Sequence, residues 1–277
     1  MIHKRVSLPV NYRNKGVKNN DFSPYLTTYI IENQDEFSKN RKRPLVLICP
    51  GGGYKMLSQR EAESVAIRMN SLGFHACVLW YSVAPMTFPA ALLDLAEAVN
   101  YLRTKASELN IDQNKILVCG FSAGGHLAAS LGVYWDKSLI QKYLPYSAEQ
   151  IKPNGLVLCY PVITTGNFAH QGSIDNVLGE NSNFTEKDVC IDKLVTKNVP
   201  PVFLWHTYED TTVPVENSLF MAIALRKASV PVELHLFRRG IHGLSLASYE
   251  TYGSQEGQIQ SECQIWPDLF ANWAASL

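Results

Sequence analysis

The sequence predicts an α/β fold, a mostly parallel β-sheet with helices on both faces. Three observations carry that prediction. From about residue 44 onward, apolar runs of strand length alternate with segments of helical periodicity, the order that threads a parallel sheet between covering helices. The apolar runs show no polar alternation, as in Leu45-Val46-Leu47-Ile48-Cys49, which is expected when both faces of a strand are buried. The composition, 46% hydrophobic and 18% charged, is that of an ordinary soluble globular protein. The 277 residues allow one large core or a core plus a small appendage, a length at which α/β folds are often one domain. A single domain over residues 1–277 is the expectation.

Each element has its own local reason. Tyr25 to Ile31 reads as an antiparallel edge strand, and Leu45 to Cys49 as a buried one. Ser58-Gln59-Arg60-Glu61 has capping-box spacing, and Ala62, Val65, Ala66 and Met69 follow on one helical face. Gly73 fits the left-handed position that ends a helix. Phe74 to Trp80 is the next strand. Pro89 to Glu108 is helical, with Leu92, Leu95, Ala96, Val99 and Leu102 along its apolar stripe. Lys115 to Cys119 is a strand, and the helix Gly124 to Leu131 follows at once. Leu156 to Tyr160, Val202 to Trp205 and Val232 to Phe237 are further strands, with a helix from about Asn217 to Ser229 between the last two. Pro267 suits a first helical turn, so Asp268 to Leu277 closes the chain as a helix. The stretch from Ile163 to Pro200 is longer than an ordinary connection and leaves from the carboxyl end of a strand. It reads either as a lid or binding loop, or as a surface excursion of one or two short helices.

Charge and cysteine usage exclude several classes. With 25 basic and 25 acidic residues the net charge is zero. The one dense basic cluster, Lys39 to Arg43, reads as a solvated loop ahead of a strand. Neither nucleic acid nor an anionic membrane is indicated as a partner. Met1 to Ser7 lacks a secretory apolar core, and no later run reaches the length of a membrane span. Of the six cysteines, Cys49, Cys77, Cys119 and Cys159 fall in interior strands, where cysteine behaves as a small hydrophobe. No Cys-x-x-Cys pair or zinc spacing is present. A reduced, cytoplasmic protein without metal or organic cofactor is expected, and nothing in the composition opposes a homo-oligomer.

The chemistry is concentrated in Gly120-Phe121-Ser122-Ala123-Gly124. A serine on a sharp turn between a buried strand and a helix must take a strained conformation that projects its hydroxyl above the sheet edge. Small residues two before and two after are needed because strand and helix crowd the turn. A glycine-rich connector is the bland alternative. Serine is a weak nucleophile at neutral pH and needs a base held by a carboxylate. Among seven histidines, His242 in Arg239-Gly240-Ile241-His242-Gly243 sits just past the last strand, between glycines that leave its ring room to swing. His206, ending a strand near Asp210, is its rival. His75 and His235 lie within strands and read as packing residues, His126 as support for the turn, and His3 and His170 as exposed loop residues. Asp210, a few residues beyond the Val202 to Trp205 strand, is the candidate acid, with Glu209 as its alternative. Pro50-Gly51-Gly52-Gly53-Tyr54 follows the Leu45 to Cys49 strand, and its unshielded amides, with that of Ala123, could hold an oxyanion. No phosphate-binding glycine loop ending in Lys-Ser/Thr is present.

On these motifs, together with the run from His206 through Val213-Pro214-Val215-Glu216-Asn217-Ser218, the chain from about 44 to 250 resembles an α/β-hydrolase-fold carboxylesterase. It is similar to the small esterases grouped with bacterial acetyl (xylan) esterases and feruloyl-esterase-like proteins, which border the hormone-sensitive lipase family. Two residues depart from that last family: Pro50 stands for the usual histidine before the glycines, and Phe121 for the usual acid before the serine. The short N-terminal region leaves no large cap domain. The resemblance implies Ser122 as nucleophile, Asp210 as orienting acid and His242 as base, with Gly52, Gly53 and Ala123 as oxyanion donors. It also implies a small-molecule ester as substrate, with O-acetyl groups on a carbohydrate or polyol the leading class. Tyr54 and the aromatics near the catalytic edge, such as Trp80, Tyr81 and Tyr160, could stack on a sugar, or could equally be core. The rival functions are a serine peptidase of the prolyl-oligopeptidase type, whose additional propeller this chain has no room for, and a non-catalytic binding protein on the same fold.

Overall fold

The computed structural model describes residues 1–15, 17, 21–36, 38–180 and 182–277. Among these residues eight strands form one sheet: β1 Arg5–Ser7, β2 Tyr25–Tyr29, β3 Arg43–Cys49, β4 His75–Trp80, β5 Ile111–Phe121, β6 Gly155–Cys159, β7 Val202–Thr207 and β8 Val232–Phe237. Their order is β1-β2-β4-β3-β5-β6-β7-β8. Pairing from β4 through β8 is parallel, whereas β1 with β2 and β2 with β4 run antiparallel. The helices are α1 Glu63–Ser71, α2 Ala90–Thr104, α3 Ala123–Tyr134, α4 Ser138–Tyr143, α5 Ala148–Ile151, α6 Gln171–Leu178, α7 Glu186–Val189, α8 Ile191–Leu194, α9 Glu216–Lys227 and α10 Trp266–Ala275.

The unbroken apolar strands divide by parity. Leu45, Leu47, Val118, Leu156, Leu158 and Leu204 face a core shared with α2, α3 and α9. Val46, Ile48, Cys119, Val157, Phe203 and Trp205 face the opposite core, closed by α1 and α10. That is the two-sided burial that explains the missing polar alternation. At its closing end the chain supplies Trp266, Phe270 and Trp273 to the second core, with Pro267 in the first turn of α10.

Four expectations need correction. The Tyr25 strand is antiparallel but not at the edge, because Arg5–Ser7 pairs outside it. Three residues with no apolar run give that outer strand no sequence signal. Ser58 makes no side-chain cap; a 3-10 turn spans Gln59–Glu61 and α1 begins only at Glu63. The described residues of the 163–200 stretch hold three short helices, α6 to α8, rather than one or two. Its contacts fix it to the body, including Phe88 N–H to Val177 O at 2.6 Å and Tyr134 O–H to Asp188 O at 2.8 Å. Finally, Arg43 is not part of a solvated loop but opens β3, 8% exposed.

Candidate active site

Ser122 follows β5 with φ 54° and ψ −117°, a left-handed conformation that a residue with a Cβ adopts only under constraint. The constraint is steric. A Cβ on Gly120 would lie 2.0 Å from Gly124 O, and one on Gly124 2.0 Å from Cys49 O, so neither position can carry a side chain. Strand, turn and helix are packed backbone to backbone, and the serine side chain is driven out above the sheet. It remains 7% exposed.

The loops after β7 and β8 bring its partners. His242 Nε2 lies 2.7 Å from Ser122 Oγ, and His242 Nδ1 lies 2.6 Å from Asp210 Oδ2. A carboxylate can only accept, so Nδ1 carries the proton and Nε2 is left to accept from the serine. Asp210 is 4% exposed, whereas Glu209 beside it is exposed and turned away. Every lone-pair direction of Asp210 meets a donor. Oδ1 accepts the N–H groups of Thr212 and Val213, both at 2.9 Å, and Oδ2 also accepts from His206 Nε2 at 3.2 Å. Burial alone would raise the Asp210 pKa, but the hydrogen bonds from His206 and His242 outweigh it and hold the group well below the usual carboxylate range. His206, the rival base, is fully buried. Its Nδ1 accepts from Ser218 Oγ at 2.7 Å, so it supports the acid and does not face the serine.

The glycine loop after β3 lies against the serine turn, since a Cβ on Gly51 would come within 3.0 Å of Ser122 Cβ. Gly51 N–H is taken by Glu61 Oε2 at 2.8 Å. Among the described residues, no acceptor takes the N–H of Gly52 or Gly53. Ala123 is the first residue of α3, so its N–H has no acceptor within the helix. Among the described residues, no hydrogen bond therefore engages these three amides. Tyr54, read as either a sugar-stacking or a core residue, is a core residue. It is 3% exposed and donates its hydroxyl to His126 Nδ1 at 2.8 Å, while His126 Nε2 donates to Val189 O. Burial lowers the His126 pKa to about 4 and keeps that imidazole neutral. Tyr81 and Tyr160 are likewise core residues, and Trp80 stacks on Tyr25.

Two residues near the site carried no recognised signal. His170, read as an exposed loop residue, stands half-buried at the start of α6, with Nδ1 bonded to Ser173 Oγ at 2.8 Å. Its pKa is lowered by burial and by the nearness of His242. With Gly52, Gly53, Met56, Pro85 and Asn176 it lines an open cleft of about 920 Å³. The other is Glu61, a buried carboxylate whose spacing from Ser58 imitates a helix cap. Among the described residues no cluster of three or more His, Cys, Asp or Glu is placed to hold a metal ion.

The strained turn after β5 and the loops after β7 and β8 thus meet at the carboxyl edge of the sheet, as they do in α/β-hydrolases, and the chain is one of these. The BD-FAE family model matches residues 34–225, and the protein belongs to that family. It is similar to endo-1,4-beta-xylanase B of Butyrivibrio fibrisolvens, 39% identical over 90% of this chain and 39% of that protein. It is also similar to the acetylxylan esterase of Xylanibacter ruminicola, 30% identical over 74% of this chain and 42% of that one. The chain therefore spans about two-fifths of the length of these curated relatives. Among solved structures, the acetyl ester-xyloside bifunctional hydrolase of Caldicellulosiruptor lactoaceticus superposes with a TM-score of 0.83 at 38% identity, covering 99% of this chain and 96% of that one.

Proposed function

We propose that the protein is a serine carboxylesterase that removes short acyl groups, chiefly acetyl, from hydroxyls of small carbohydrates through an acyl-enzyme. The observation that carries this reading is the unbroken relay from Ser122 Oγ to His242 Nε2 at 2.7 Å and from His242 Nδ1 to Asp210 at 2.6 Å. Ser122 Oγ attacks the ester carbonyl carbon as its proton passes to His242 Nε2. The oxyanion rests on the N–H groups of Gly52, Gly53 and Ala123. The tetrahedral species collapses, and the alcohol leaves with the proton from His242. Water then attacks the acyl-serine, His242 again taking and returning a proton, and the acid is released.

The names of the similar proteins support acetylated xylose-based carbohydrates as the substrate class. The cleft beside the glycine loop, with His170 at its rim, would take the alcohol portion. The 163–200 segment then acts as a fixed binding loop, a role supported by the bond from Asn176 Nδ2 to Gly53 O at 2.8 Å. All six cysteines are free, buried thiols, which fits a cytoplasmic setting. Among the described residues no helix is long and apolar enough to cross a membrane.

The test is turnover of aryl esters from acetate to octanoate and acetate release from acetylated xylo-oligosaccharides, by the wild type and by Ser122→Ala. The variant should lose about 10⁴-fold or more in kcat, and acetate should be the best aryl ester. Full turnover by the variant would defeat the assignment of the nucleophile, and a preference for octanoate would defeat the acetyl reading.

A further inference from the structure

We infer that Glu61 is a positioning residue for this reaction, its buried carboxylate joining the oxyanion loop and the wall behind His242 into one frame. The inference rests on the esterase reading above. Glu61 is 3% exposed and ends the 3-10 turn Gln59–Glu61. Its Oε2 accepts the N–H of Gly51 at 2.8 Å, and its Oε1 accepts the hydroxyl of Tyr160 at 2.8 Å. The Tyr160 oxygen in turn accepts the N–H of Ser245 at 2.8 Å. The Tyr160 ring stands edge-on to His242, with centroids 5.1 Å apart and planes at 74°. One carboxylate thereby spans the loops that follow β3, β6 and β8.

The preceding residue extends the same frame. Arg60 Nη1 donates to Gly243 O at 2.9 Å and its Nε to Thr251 O at 2.6 Å, while Arg60 O accepts from Ser245 Oγ at 2.6 Å. Residues 60 and 61 therefore grip both flanks of the site: the chain just after His242 and the chain just before Gly52.

Physical chemistry makes this grip consequential. A run of three glycines has little stiffness of its own, and Gly52 already lies at φ +124°. Oxyanion donors act only when held close to the productive geometry. A carboxylate accepting a backbone N–H is a charge-assisted bond and strong enough to fix such a loop. It also sits close to the chemistry, since a Cβ on Gly51 would lie 2.9 Å from Glu61 Oε2 and 3.0 Å from Ser122 Cβ. Both groups facing Glu61 are donors. Burial, and then the charge of Glu61, raise the Tyr160 pKa well above the usual tyrosine value, so the phenol keeps its proton to donate. Glutamine offers one acceptor oxygen where two are used. Glu61→Gln therefore leaves the volume filled and breaks one of the two bonds.

The experiment uses the full chain of the wild type, Glu61→Gln and Tyr160→Phe. Active sites are counted with diethyl p-nitrophenyl phosphate, and kcat and KM for p-nitrophenyl acetate are expressed per counted site. Inhibition by an aryl trifluoromethyl ketone, which forms an oxyanion on the serine, is measured in parallel. Glu61→Gln should lower kcat by about 10- to 100-fold with KM changed by less than about threefold. The ketone should weaken by the same factor as kcat/KM. Tyr160→Phe, which keeps the ring against His242, should show a smaller loss of the same kind. The double variant should lose less than the product of the two single losses, because the Glu61–Tyr160 bond is common to both residues.

A variant whose counted sites turn over and bind the ketone like the wild type, with only Tm or the active fraction reduced, would overturn the inference. So would a loss confined to KM. Should Glu61→Gln not fold, Tyr160→Phe decides, and unchanged kcat and ketone affinity there would overturn it. Normal Ser122-dependent turnover by the wild type with an unaffected Glu61→Gln defeats this inference alone. A wild type without that turnover defeats the esterase reading as well.

Discussion

Replacing Asp210 by asparagine removes one acceptor from a group that uses all of its acceptors. Oδ1 receives Thr212 N–H and Val213 N–H, and Oδ2 receives His242 Nδ1–H and His206 Nε2–H. Asparagine offers one oxygen and one NH₂. If the NH₂ takes the place of Oδ1, it confronts two backbone donors that cannot turn away. If it takes the place of Oδ2, it confronts two imidazoles, one of which can adapt. His242 can move its proton to Nε2 and accept at Nδ1. That tautomer points N–H at Ser122 and cannot take the serine proton. The structure therefore favours an intact site holding the wrong tautomer.

The same substitution in a serine-protease triad costs about 10⁴ in kcat, which is roughly 5.5 kcal/mol of transition-state stabilisation. A comparable loss is expected here, read as kcat for p-nitrophenyl acetate at pH 7 to 8 with folding followed by near-ultraviolet circular dichroism. Stability supplies a second signature. The folded pKa of Asp210 is depressed, so its contribution is present above the ordinary Asp value and is lost as pH falls toward the folded one. The stability deficit of Asp210→Asn should accordingly shrink below about pH 4. A loss in kcat of less than about tenfold in a folded protein, or an equal loss from Glu209→Gln at the exposed neighbour, would refute the orienting role of Asp210.

Two further outcomes follow from the packing. Asp94 is fully buried beneath Tyr12 and the Ser82 amide, and burial raises its pKa to about 6 despite their hydrogen bonds. The ionised form is the disfavoured one, so the penalty is absent near pH 4 and complete above about pH 6. Asp94→Asn should gain on the wild type by about 3 kcal/mol between pH 4 and pH 7 in denaturant titrations, and a pH-independent difference would refute this. At the turn, Gly124→Ala puts a Cβ within 2.0 Å of Cys49 O and 2.5 Å of Pro50 O, both backbone atoms. It should abolish activity or soluble expression. Gly73→Ala, at φ +90° in open space, should cost only about 1 kcal/mol and leave kcat unchanged. Wild-type Tm and kcat in Gly124→Ala would contradict the close approach of the turn to β3.

Local sequence carries the parts of the site whose constraints are local. Gly120 and Gly124 are required by atoms a few residues away or in the adjoining strand, so a five-residue window announces the turn and its serine. His242 is legible for a similar reason, lying between Gly240 and Gly243 directly after the last strand. Asp210 and Glu209 cannot be separated by spacing alone. They separate in the fold because Thr212 and Val213 amides and the His206 ring all surround one of the two carboxylates. The parallel strands are readable from their apolar runs, whereas β1, only Arg5–Ser7, exists through pairing with β2 and leaves no pattern.

Glu61 marks where such reading stops. Three residues after Ser58 it satisfies a helix-cap pattern, yet its oxygens go to Gly51, ten residues earlier, and to Tyr160, ninety-nine residues later. His170 is a parallel case. It reaches the cleft because the excursion after β6 folds back and is pinned by Asn176 to Gly53. Reactive groups depend on backbone conformations that neighbouring residues impose, so a motif can specify them. The bonds that hold those groups at working distance join segments far apart in the chain, and a buried carboxylate takes whichever donors the finished fold presents. Substitutions at Glu61 and Tyr160 therefore test a layer of the site that no local pattern encodes, and kcat per counted active site is the quantity in which that layer would show.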